Sequence, residues 1–274
     1  AARSISSFLV GASPPEDLPP TATALGYRAF GLADRNSVAG VVRAHTAFKE
    51  LTAEGHLIPR YHPGARLVFR DGTPDILAYP ADRRGWARLC RLLTSGNRRA
   101  AKGACHLDLT DLLESTSGLG LIVMPPRSPP GQSEGLLRAT LSRLAEAMTD
   151  LPPRLGLPLF YDGCDQARVR LLGEIARTAA LPLIAVGDVL YHTAARRPLH
   201  DVLTCIRLHE TLESAGRRLM AHTGRHLESP GEVTRLYASH ALHAGHADAL
   251  AETLQLSDSL TFSLDELRYE YPEE

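Results

Sequence analysis

At 274 residues the chain is long enough to bury a substantial core, as one large domain or two small ones. Hydrophobic residues make up 44% and charged residues 22%, which excludes a disordered or fibrous chain, and no apolar run approaches the roughly 20 residues of a membrane-spanning helix. With 30 Lys+Arg against 31 Asp+Glu there is no overall basic excess to supply non-specific nucleic-acid affinity, so any DNA contact has to be local.

Apolar runs at 6–10 (SSFLV), 27–33 (YRAFGLA), 65–69 (ARLVF), 75–80 (DILAYP), 118–124 (GLGLIVM), 157–161 (LPLFY) and 181–188 (LPLIAVGD) are separated by longer helical patterns. This alternation predicts βαβ units and a mostly parallel sheet. After the first run, SPPEDLPPTATALG predicts a helix with Ser13 as cap, prolines in its first turn and Gly26 as its stop. Ser37 to Glu54 predicts a longer helix with Val38, Val41, Val42, Ala44 and Phe48 on one face. Residues 82–99 predict a third, apolar at Trp86, Leu89, Leu92 and Leu93 and basic elsewhere. The Pro-, Gly- and Ser-rich stretch 124–135 reads as an exposed loop. Past residue 193 the pattern is wholly helical, with amphipathic segments at 196–212 and 229–258, the second opening at Ser229 and Pro230. At the end, Phe262, Leu264, Leu267, Tyr269 and Tyr271 need something to pack on, which suggests a larger partner domain beyond. The cysteines Cys90, Cys105, Cys164 and Cys205 form no CxxC pair and read as buried free thiols. A reducing compartment follows, and the absence of a signal-like opening places the chain in the cytoplasm.

The stretch FGLADRNSVAG (30–40) sets Asp34 at a strand end above a helix start, where α/β enzymes keep catalytic groups, yet its neighbour is Arg35. Together with SFLVGAS (7–13), ALGYRAFGLADRNSVAGVVRAH (24–45), residues 75–109, GDVLYHTAARRPLHDVLTCIRLHETL (187–212) and FSLDELRYEYPEE (262–274), it resembles the polymerase and histidinol phosphatase (PHP) domain of bacterial C-family DNA polymerases. The similarity is greatest to their error-prone, damage-inducible branch, and it extends over nearly the whole chain. The resemblance implies an α/β fold, a distorted (β/α)7 barrel with a helical C-terminal extension over about 193–274, forming one PHP domain. In active members a metal cluster at the strand ends hydrolyses phosphoesters, because the cations lower the pKa of a bound water and stabilise an in-line displacement.

Carried over residue by residue, the family's ligand motifs are broken here. Its opening His-x-His falls on Ala1 and Arg3. Its Asp-His-Gly falls on Asp34 and Arg35, its strand-borne glutamate on Arg66, and its Asp-x-His on Asp188 and Leu190. Arginine is always charged at neutral pH, and cations among ligand positions repel metals. Arg35 or Arg66 is therefore expected to pair with Asp34 and Asp188, with no metal or other cofactor held. The resemblance then implies a structural support for the palm and thumb of an error-prone polymerase used in translesion synthesis and induced mutagenesis, whose synthetic carboxylates lie beyond residue 274. Its partners would be the polymerase body directly, mutasome proteins and the sliding clamp through the full protein, and DNA indirectly, with no membrane. The alternative is an active metal-dependent phosphoesterase or 3′–5′ exonuclease rebuilt around Asp34, Asp188, His62 and His192. Of the other histidines, His45, His106, His240, His243 and His246 read as surface or loop residues rather than ligands, and His200, though close to Asp188, falls in the following helix, off the family's ligand position. The cluster Arg83, Arg84, Arg88, Arg91, Arg98, Arg99 and Lys102 fits a solvated helix face or a dock for the polymerase body better than a phosphate-backbone contact.

Overall fold

The computed structural model describes residues 1–127, 134–148, 150–241 and 249–267. Six strands, β1 (Ala29–Arg35), β2 (Arg60–Leu67), β3 (Ile76–Pro80), β4 (Leu119–Val123), β5 (Arg154–Leu157) and β6 (Leu183–Ala185), lie side by side in chain order. All run parallel except β3, which opposes both β2 and β4. Its reversal follows from the connection before it. Residues 68–75 are too few for the crossover that a parallel neighbour needs, but enough for a hairpin.

Residues 1–3 complete the ring. Ala2 bridges in parallel to both Leu32 and Val189, with Ala2 N donating to Gly31 O at 2.8 Å and Arg3 N to Val189 O at 2.9 Å. This short segment takes the seventh strand position and curls the sheet into the expected distorted α/β barrel. The run 6–10, expected as that strand, instead forms consecutive turns, with Ser7 N bonded to Ser4 O at 2.9 Å and Val10 N to Ser7 O at 2.8 Å. Ser4 and Ser7 are both buried, a spacing of three that suits a turn and not the period of two that a strand requires.

The helices are α1 (Leu18–Ala24), α2 (Val41–Ala53), α3 (Arg83–Arg98), α4 (Leu109–Leu113), α5 (Glu134–Ala147), α6 (Asp165–Ala179), α7 (Arg197–Leu208), α8 (Leu212–Ala215), α9 (Pro230–Ala241) and α10 (Ala249–Ser259). Strand residues alternate between two cores. Ile76, Ala78, Leu121 and Val123 face outward to Leu89, Leu93, Leu141 and Leu172 of the helices. Leu77, Tyr79, Ile122 and Ile184 face inward, where Leu256 of α10 and the following Leu260 close one mouth of the barrel. A buried ion pair, Arg154 Nε to Glu252 Oε1 at 2.7 Å, fastens α10 to β5.

Several expectations are corrected. β2 begins at Arg60, ahead of the run 65–69, and β5 ends where the run 157–161 begins. Ser13 does not cap a helix; its Oγ accepts from His192 N at 2.8 Å and pairs with His192 Nδ1 at 2.8 Å. The region past 193 is not wholly helical, since residues 219–229 are irregular and Tyr191 bridges to His226 across them. Within the expected segment 229–258, the described residues form α9 and α10, and 242–248 lie outside the described residues. All four thiols are free, but only Cys205 is buried; Cys90 and Cys105 are half-buried and Cys164 is exposed. Phe262 finds its packing on Trp86, with ring centroids 5.3 Å apart, whereas Tyr269 and Tyr271 lie outside the described residues, as do half of the expected loop 124–135, His243 and His246.

Candidate functional site

Asp188 follows β6 in a left-handed backbone conformation (φ 45°), which aspartate tolerates better than most non-glycine residues. Its buried carboxylate receives three guanidiniums: Arg3 Nη2 at 2.8 Å and Arg66 Nη1 at 2.9 Å on Oδ1, and Arg225 Nη2 at 2.6 Å on Oδ2. Arg225 Nε also donates to the Asp188 carbonyl at 2.9 Å, and Arg66 Nε to Asp75 Oδ2 at 2.6 Å. Burial alone pushes the Asp188 carboxyl up, but Arg3, Arg225 and Arg66 overcome it and hold the group well below the usual carboxylate range. Burial brings the Arg3 guanidinium down to about 10 in spite of Asp188, so it is still charged at neutral pH. Arg225 also lies 5.3 Å from the centroid of Phe160, which Arg168 approaches at 4.6 Å from another side.

Asp34 is held differently. Ser4 N reaches its Oδ1 at 2.7 Å, Ser4 Oγ its Oδ2 at 2.8 Å and Ser7 Oγ its Oδ1 at 2.7 Å. Burial pushes this carboxyl up, against the lowering effect of the hydrogen bonds from Ser7 and Ser4. The expected pairing is thus half corrected. Arg66 pairs with Asp188 and Asp75, while Arg35 is exposed and forms no ion pair among the described residues; its contribution is a backbone N–H donated to Ser7 Oγ at 2.9 Å. Arg35 closes β1, where the alternation that points Asp34 inward turns its neighbour outward.

Of the remaining motif positions, Ala1 accepts from Val189 N at 3.0 Å through its carbonyl, and Leu190 is buried beside Ala12 and Tyr191. His62 lies in the barrel wall with Nε2 2.8 Å from Ser257 Oγ of α10. Burial, chiefly, lowers it to about 4. Among the described residues no three His, Cys, Asp or Glu side chains come together as a cation-binding group. On α3, Arg83, Arg84, Arg91 and Arg98 are exposed, with Arg99 and Lys102 just beyond its end. Arg99 Nη1 pairs with Asp111 Oδ1 at 2.7 Å, and Arg88, half-buried, donates to Ser117 O at 3.0 Å.

Sequence reading missed Ser4, Ser7, Asp75 and Arg225. Ser4 and Ser7 sit beside and in the run mistaken for a strand, and Asp75 directly precedes β3, whose reversal was not anticipated. Arg225 lies in an irregular segment with neither period, so no pattern singles it out.

A solved structure shares this fold. An amidohydrolase from Chromobacterium violaceum superposes with a TM-score of 0.50 at 13% identity, covering 69% of this chain and 86% of that one. No family model matches the chain. Its sequence is 47% identical over 272 residues to an error-prone DNA polymerase of Mesorhizobium japonicum, and 46% identical over 269 residues to one of Rhodopseudomonas palustris. Each match covers 98% of this chain and 23% of the relative, so the chain spans about a quarter of their length. Over nearly its whole length the chain is thus similar to one part of these error-prone DNA polymerases. Among the described residues no helix is long and apolar enough to cross a membrane.

Proposed function

We propose that this segment is a PHP domain whose metal site has degenerated, and that it serves an error-prone DNA polymerase as a structural support and interaction module. The observation that carries this reading is the engagement of Asp188 by Arg3, Arg66 and Arg225. A hydrolytic metal centre needs carboxylate and imidazole lone pairs free to bind cations. Here the acceptors of Asp188 go to three cations and those of Asp34 to serines, while Leu190 offers no donor. Like unit charges about 4 Å apart repel by about 4 kcal/mol even at an effective dielectric of 20, so a divalent ion placed among these guanidiniums meets several such penalties. The residues present do not fit a metal cluster.

DNA synthesis, translesion bypass and damage-induced mutagenesis enter this reading as properties of the whole polymerase, acting in the cytoplasm. Mutasome proteins and the sliding clamp are likewise partners of the whole, and the basic residues of α3 are a candidate contact for the polymerase body or for DNA.

The test is elemental analysis after incubation with Zn²⁺ and Mn²⁺ and exhaustive dialysis, with thermal unfolding and phosphodiester hydrolysis measured alongside. We expect less than about 0.1 ion per chain and no turnover, since a working site of this class needs bound cations. We also expect an unchanged melting temperature, because an ion present at 100 times its Kd would stabilise the fold by about 2.7 kcal/mol. Two or more retained ions, with turnover abolished by Asp34→Ala, would overturn the reading in favour of a phosphoesterase or exonuclease.

A further inference from the structure

Helix α7 is built inside out. Its polar side chains point inward: Arg197 Nε bonds Asp201 Oδ1 at 2.7 Å while its terminal nitrogens donate to the carbonyls of Met220 and His222, and His200 and Thr204 are buried. Its apolar residues Leu199, Val202 and Ile206 recur at helical spacing on the opposite side and face solvent, with Ile206 53% exposed. A helix at a free surface shows the reverse distribution. Beside it lies the turn 5–10. Arg207 Nε of α7 donates to Leu9 O at 3.3 Å, and Val10 and Leu203 pack on the same small core. That turn carries Ile5 and Phe8, the latter 80% exposed, and Leu212 of α8 follows α7 with its side chain exposed. Several large apolar side chains on adjoining elements form the kind of patch that marks an interaction surface.

We propose that this outer face of α7, with the turn that carries Ile5 and Phe8, is the seat of the rest of the polymerase chain. The inference rests on the support role proposed above and assigns it a surface. The occupant follows from length: the segment spans only 23% of its relatives, so the greater part of such a polymerase lies outside it and in the same molecule. A partner joined in one chain meets the face at high effective concentration, so a patch of this size suffices without the area that a separate partner would need.

The test is thiol labelling of Val202→Cys, in the segment alone and in the full-length polymerase that carries it, with the modified peptide quantified by mass spectrometry. We expect labelling at least about tenfold slower in the full-length protein, and a rate in the segment that does not depend on its concentration. Ile206→Glu should leave the melting temperature of the segment unchanged within about 2 °C but speed Val202→Cys labelling in the full-length protein. Equal rates in the two proteins would overturn the proposal. So would protection in the segment that grows with concentration, which would assign the face to a second copy. Failure of the support reading itself registers separately, as metal-dependent turnover of the segment in the assay above.

Discussion

Gly40 stands hard against Asp34: a Cβ built at Gly40 would lie 2.7 Å from Asp34 Oδ2 and 2.9 Å from Ser4 Oγ. Its φ of −77° is ordinary, so the demand for glycine comes from close approach and not from backbone strain. Gly40→Ala is expected to destabilise the fold by about 1–3 kcal/mol, the usual range for overpacking a filled site. Gly135→Ala is the control. It lies in α5 with nothing near its missing Cβ, and should stabilise by up to about 1 kcal/mol. Urea denaturation of both variants measures the contrast, and equal effects would mean that the Asp34 pocket yields freely.

Asp188→Asn removes the charge shared by three buried guanidiniums, and breaking a buried pair of this kind costs about 3–5 kcal/mol. The pH dependence has a definite sign. The folded carboxyl is held below its ordinary value of 3.8, so its stabilisation is present above that value and is lost as pH falls toward the depressed one. The stability gap between the native chain and Asp188→Asn should therefore be full at pH 7 and shrink below about pH 4. A gap that widens on acidification would contradict the assignment.

His62 titrates in a different window. Burial keeps it neutral in the fold, with its value lowered from 6.5 to about 4. The unfolded chain takes up the proton first, so stability is full above pH 6.5 and is lost as pH falls toward 4, by up to about 3 kcal/mol. His200, also lowered to about 4 by burial, contributes in the same direction. His62→Gln should reduce the slope between pH 6.5 and 4 in denaturation midpoints, and an unaltered slope would show that His62 is solvated.

Leu256 fills the barrel mouth from α10, its Cδ1 only 2.9 Å from where a Cβ on Gly120 of β4 would stand. Leu256→Ala should cost about 2–5 kcal/mol, as other large-to-small core substitutions do. Calorimetry would register this as a lower melting temperature, and a loss below about 1 kcal/mol would mean that α10 is a detachable appendage.

β3 was legible in DILAYP as a continuous apolar run, the mark of a strand buried on both faces, but not which of its residues face the barrel interior. The direction of β3 leaves no trace in hydropathy and was legible only in the short spacing between the runs 65–69 and 75–80, which the expectation of a mostly parallel sheet passed over. Arg3, Arg66 and Asp188 could be found by laying family motifs on the chain, but which carboxylate each arginine chooses depends on distances between segments far apart in sequence. Asp34 met serines because the opening residues turn back over β1, and Arg225 entered from a stretch with no regular pattern at all.

The reversed strand also gives the cluster around Asp188 a history. Because β3 runs backward, its first residues lie at the mouth where the other strands end, which is how Asp75 reaches Arg66 from nine positions away. That pair needs only a hairpin and can form as soon as the two strands meet. The bond from Arg66 to Asp188 spans 122 positions and that from Arg3 spans 185, so these wait until the ring has closed, when the chain entropy of those long loops has been spent. The cluster thus joins one local pair to bonds on Asp188 that need distant segments brought together, and the depressed ionisation of Asp188 depends on the ring being closed.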